Sequence, residues 1–169
     1  MNEGTSALKF LALRLGVFVA AVLVAYLFAS VTATLSVADS LRGMGVDVPL
    51  ARTAAMMLHD LKGMASMFLP MIAFALLVAF MIAALLCRWL TRGRVILYVV
   101  AGATALVSIH LTLHLAFAIT PVAIARTGWG LLAQGAAGGL GGATYLYLTR
   151  RMRAAYPTVP QPGTKRPVQ

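Results

Sequence analysis

The sequence predicts an all-α integral membrane protein: a bundle of four transmembrane helices with a short interfacial helix in its first outer loop. Three observations carry that expectation. First, 61% of the residues are hydrophobic and only 11% are charged, against about 45–50% and about 25% in a soluble domain. Second, the charges are segregated, which leaves four long runs almost free of them. A bilayer core about 30 Å thick takes about 20 helical residues, and each run reaches that length. Third, the basic residues gather at the ends of these runs. That is where membrane topology and anionic headgroups place them, so a net charge of +10 does not imply nucleic acid. Aromatic and basic residues are not interleaved as a nucleic-acid module needs.

The first span is read at 15–37, with Arg14 at its edge placed to snorkel to headgroups. Ser36-Val37-Ala38 has the small residues of a leader cleavage site. The apolar run before it, however, exceeds the 7–15 residues of a signal segment, so an uncleaved anchor is expected. The only sizeable loop follows. Within it Leu50, Ala54, Met57, Leu58 and Leu61 recur at helical spacing after Pro49, while Arg52, His59 and Lys62 fall on other faces. This pattern predicts an amphipathic helix over 50–62 lying on the membrane surface, with Asp47 near enough to cap it.

The second span is 64–87, with Pro70 near its start. A basic turn carrying Arg88, Arg92 and Arg94 leads into the third span, 95–120. The fourth, 127–149, has Trp129 at one end and Tyr145 and Tyr147 at the other, positions typical of interfacial belts. Together, residues 1–149 make one transmembrane domain. A basic, Pro-containing tail, 150–169, carries Arg150, Arg151 and Arg153. These arginines, with Arg88, Arg92 and Arg94, are the expected contacts to anionic headgroups.

Four spans put both termini on one side. That side carries Lys9, Arg14, Arg88, Arg92, Arg94, Arg150, Arg151, Arg153, Lys165 and Arg166, ten in all, against Arg42, Arg52, Lys62 and Arg126 on the other. Basic residues mark the cytoplasmic side, so both termini are expected there. With Arg outnumbering Lys 11 to 3 and Ala abundant, the inner membrane of a bacterium with a GC-rich genome is the expected setting.

The fourth span is crowded with glycine. Gly135 with Gly139, and Gly138 with Gly142, form small-xxx-small pairs, and Gln134 shares the face of Gly138 and Gly142. Such faces let backbones approach closely, either within the chain or against a second copy.

The polar residues gather at the outer third of the membrane. His110 and His114 are four apart on one helical face; Ser30, Thr32, Thr34 and Ser36 occupy the outer end of the first span; His59 and Asp60 precede the second. An ionisable residue at membrane depth marks a functional site by default. Two imidazoles with this spacing suit a divalent metal ion if His59 or Asp60 adds a ligand, and opposed histidines suit a haem. Imidazole also titrates near neutral pH, which suits proton or quinone chemistry. The plainer expectation is that the rings face the bundle interior and hydrogen-bond to Ser and Thr across helices.

No Ser/His/Asp constellation, phosphate-binding loop or acid within a span stands out, and Cys87 is the single cysteine. The preferred expectation is therefore a non-enzymatic subunit or accessory of a membrane assembly, whether a homo-oligomer or a larger complex. The alternative is a haem- or metal-binding redox or transport protein using His59, His110 and His114.

Overall fold

The structure is a computed structural model that describes residues 3–90, 93–117 and 128–156. Five helices account for almost all of them: α1 Glu3–Gly43, α2 Leu50–Gly63, α3 Ala65–Trp89, α4 Arg94–Phe117 and α5 Gly128–Ala155, and no strand occurs among the described residues. Three of these, α1, α3 and α4, are long and apolar enough to cross a membrane, so the chain is a multi-pass membrane protein. With 28 residues α5 is long enough as well. It falls short of the others in hydropathy because seven of its residues are glycine.

The four long helices form a ring in which α1 packs on α5, α5 on α4, α4 on α3 and α3 on α1. Neighbours run antiparallel. Along the α4/α5 seam Gly102 meets Gly138 while Tyr98 meets Gly142, and along the α1/α3 seam Phe18 meets Phe80 while Tyr26 meets Phe68. Two layers of side chains tie the ring together, each drawing on all four helices. In one, Phe18, Phe80, Tyr98 and Tyr145 stack, with Phe80 and Tyr145 4.7 Å apart at 28° and Tyr98 and Tyr145 5.4 Å apart. In the other, Tyr26, Phe68, His110 and Gln134 follow one another around the ring. Between the layers Ile72, Leu76 and Leu106 are fully buried beside Ala21, Ala25 and Ala137. Tyr145 was expected in the interfacial belt. Its ring instead belongs to the interior stack, while Tyr147 stays exposed with the Arg151 guanidinium 5.0 Å from its ring.

The seam between α4 and α5 is closer than side chains permit. A Cβ built on Gly102 would overlap the Gly138 carbonyl, and one built on Gly142 would overlap the Tyr98 carbonyl. The glycine face is therefore spent inside the chain, on α4. On the other side of α5, Gly141 admits the Ala25 methyl and the Ala21 carbonyl of α1. Gly135 and Gly139 meet only side-chain tips and ordinary van der Waals neighbours of α4, at 3.3 Å from Val107 Cγ2 and 3.4 Å from Val99 Cγ1. The close approach falls at Gly138 and Gly142, with Gly102 opposite.

The first loop departs from its expected form. Helix α1 does not stop at residue 37 but continues to Gly43, which makes it 41 residues and about 60 Å long at 1.5 Å per residue. That is about twice the thickness of a bilayer core. Helix α2 folds back along α1, from Arg42 to Tyr26. Arg42 donates to the Val48 carbonyl at 3.1 Å, Thr34 meets Asp60, and the Tyr26 hydroxyl donates to the Leu61 carbonyl at 2.6 Å. Pro49 is itself the N-cap of α2, with no side-chain cap bond, so Asp47 does not cap it. The turn between them uses Gly45 at φ +81°, a conformation that disfavours side chains bearing a Cβ. At the other end of the chain, α5 continues through Arg150, Arg151 and Arg153 to Ala155. The rest of the expected tail, 157–169, lies outside the described residues, as do Arg92 and the connection 118–127.

Candidate functional site

The polar residues converge where α1, α4 and α5 meet. α4 brings His110 inward on the face that carries Ala103 and Val107, both of which pack against α5. The ring is 3% exposed. Its Nε2 lies 3.3 Å from Oε1 of Gln134, a residue with no exposure at all. With the proton on Nε2 the imidazole donates to the amide oxygen. The Gln134 amide nitrogen then donates its two protons to α1, one to the Ala29 carbonyl at 3.0 Å and one to Thr32 Oγ1 at 3.3 Å. A single amide thereby joins three helices and is fully satisfied, as a buried polar group must be where water cannot reach it.

Around this hub the network is incomplete. His110 Nδ1 and Ser30 Oγ are both buried without a hydrogen-bond partner. Thr34 Oγ1 lies 3.1 Å from the Ser30 carbonyl and 2.7 Å from Asp60 Oδ2. The shorter, charge-assisted contact takes its proton and ties α2 to α1. On its other side, the His110 ring sits 5.8 Å from the Phe68 ring of α3.

His110 thus faces the interior, as the sequence suggests, but its direct partner is Gln134 and not the Ser/Thr group of α1. Thr32 enters at one remove, through the amide. Of the other candidate ligands, His59 is exposed on α2, and Asp60 is engaged by Thr34. His114 lies on α4, its side chain outside the described residues. Among the described residues no group of three His, Cys, Asp or Glu side chains comes together as a metal site would require. Sequence reasoning placed Gln134 on the packing face without assigning it as the histidine's partner. The signal was available: it is the one amide side chain in any of the four apolar runs, and an amide there is as costly to leave unpaired as an imidazole.

The charges also sort by position. Arg88 ends α3, Arg94 begins α4, Arg150, Arg151 and Arg153 end α5, and the antiparallel packing brings the N-terminal part of α1, with Lys9 and Arg14, to the same end of the bundle. Arg14 lies over the Phe10 ring at 4.5 Å. Three of the four acids, Asp39, Asp47 and Asp60, lie in the extended part of α1, its turn and α2, at the opposite end, where Arg42, Arg52 and Lys62 accompany them. Comparison with known protein families, with curated proteins and with solved structures gives no match for this chain.

Proposed function

We propose that this chain is a four-span protein of a bacterial inner membrane, with both termini in the cytoplasm, and that it acts as a non-enzymatic subunit or accessory of a membrane assembly. In this reading α5 is the fourth span, sheltered by α1 and α4, and the basic end of the bundle faces the anionic cytoplasmic leaflet. One observation carries the reading. The chemistry-bearing side chains His110, Gln134, Ser30 and Thr34 are buried in the interior, His110 against Gln134, and none of them lines the apolar cavity that opens between α3 and α4. Polar groups arranged in this way hold helices together; they do not face a space that a substrate enters.

Extraction of the full-length protein from its native membrane in mild detergent, after covalent cross-linking in place, tests the proposal. A discrete larger species of fixed stoichiometry is expected. A monomer that carries no cross-linked partner overturns it.

A second reading, as a haem- or metal-binding redox or transport protein, has one observation in its favour: His110 Nδ1 is buried and unpartnered. A visible absorption spectrum and elemental analysis of the purified protein decide it. A Soret band, or a metal at one equivalent that His110→Leu removes, would establish this reading over the first.

A further inference from the structure

The cavity between α3 and α4 has a volume of about 580 Å³ and an almost wholly apolar lining. It runs from Met71 and Leu113 at one end to Leu86 and Leu97 at the other. At 1.5 Å per residue that is an open furrow about 23 Å long, with room for a single extended hydrocarbon chain along it.

The furrow ends at charge. Leu86 lies two residues from Arg88 and Leu97 three from Arg94, and both arginines are exposed at the same end of the bundle. No acidic residue occurs anywhere on α3, α4 or α5 to neutralise them. Trp89, 86% exposed, stands beside them as an interfacial anchor. An apolar slot that ends within one helical turn of two exposed arginines is complementary to a lipid with a negatively charged phosphate. The planar fork of Arg binds phosphate oxygens through paired hydrogen bonds.

We propose that the α3/α4 furrow binds an anionic phospholipid, one acyl chain lying along the slot and the headgroup phosphate held by Arg88 and Arg94. The inference rests on α3 and α4 lying in the bilayer and is independent of whether the chain belongs to an assembly. The isolated protein suffices to test it, so its failure and that of the assembly proposal are read separately.

The test is native mass spectrometry of the delipidated full-length protein, titrated with phosphatidylglycerol or with phosphatidylcholine of the same acyl chains. One phosphatidylglycerol per chain is expected to be retained in preference to phosphatidylcholine. Arg88→Gln with Arg94→Gln should weaken phosphatidylglycerol binding about thirtyfold, given about 1 kcal/mol per basic residue near an anionic surface. Arg150→Gln with Arg151→Gln, at the same end but on α5, should leave it largely intact. Ala101→Phe, which fills the slot, should abolish binding of both lipids; Thr104→Phe at the exposed rim serves the same purpose if the first variant does not fold. Three results would overturn the site: equal retention of the two lipids, equal losses from the α5 and the α3/α4 arginine pairs, or a dimer in which cysteines at Val78 and Thr104 cross-link between copies and lipid is excluded.

Discussion

Replacing Gln134 by leucine removes the amide that joins α1, α4 and α5 while nearly keeping the side chain's volume. The partners on α1 lose little. The Ala29 carbonyl sits within a helix, and Thr32 Oγ1 still donates to the carbonyls of Phe28 and Ala29 at 2.9 and 3.0 Å. Among the described residues His110 loses its only hydrogen-bond partner, because Nδ1 is already without one. Leaving a buried donor unsatisfied costs about 1–3 kcal/mol, and interhelical hydrogen bonds within a membrane contribute about 0.6 kcal/mol each on average. Gln134→Leu should therefore destabilise the bundle by about 2–4 kcal/mol. No compensating hydrophobic gain is expected, since lipid is as apolar as leucine. His110→Leu leaves the amide oxygen unpaired and should cost about 1–2 kcal/mol. The double variant removes donor and acceptor together and should be no less stable than Gln134→Leu alone, a coupling of about 1–3 kcal/mol. Reversible unfolding in mixed micelles, with the denaturing detergent titrated, measures all three. Strictly additive losses, or a silent Gln134→Leu, would refute the assignment of Gln134 as the hub.

Other outcomes follow from the same packing. Gly138→Ala and Gly142→Ala force apart backbones that touch and should each cost about 1–3 kcal/mol or more, whereas Gly16→Ala, with nothing within 4 Å, should gain up to about 1 kcal/mol in the same unfolding assay. Gly139→Leu should harm folding more than Leu140→Ala, because Leu140 is 43% exposed while Gly139 faces Val99; equal tolerance would mean that α5 does not pack on α4 through this face. Thr34→Val breaks the 2.7 Å bond to Asp60 and should release α2 locally at a cost of about 1.5–3 kcal/mol. A faster thiol-labelling rate at Thr53→Cys, a position on α2 that is 2% exposed, reads this, and an unchanged rate refutes it. For orientation, a thiol at Met44, 70% exposed, should react with a membrane-impermeant reagent from outside, and one appended after Gln169 only from the cytoplasm. The reverse pattern would invert the bundle.

The sequence alone determined the helical class, the membrane setting and the gathering of basic charge at the ends of the apolar runs. Each depends on composition or on local order along the chain: apolar length against bilayer thickness, and charge against position. The inward turn of His110 was legible for the same reason, because a polar ring in hydrocarbon has only one tolerable direction. The glycine face of α5 was legible as a close-packing surface, though not as the partner of Gly102.

Tertiary structure alone decided who meets whom. In a soluble helix the apolar stripe reveals the core face; in a membrane helix lipid and core are equally apolar, so that signal is lost and the α1/α5/α4/α3 order has no local signature. The hub joins residues 29, 110 and 134, which are 105 positions apart at the widest. Nothing near Gln134 in the chain specifies His110. The run of α1 to Gly43 and the return of α2 beside it escaped the sequence reading on similar grounds. The boundary at residue 37 followed the apolar run, whereas a helix propagates through Asp39, Ser40 and Arg42 once the turn and α2 supply partners, as Val48 and Thr53 do for Arg42. Local hydropathy tells where lipid ends, and contacts between distant residues tell where a helix ends.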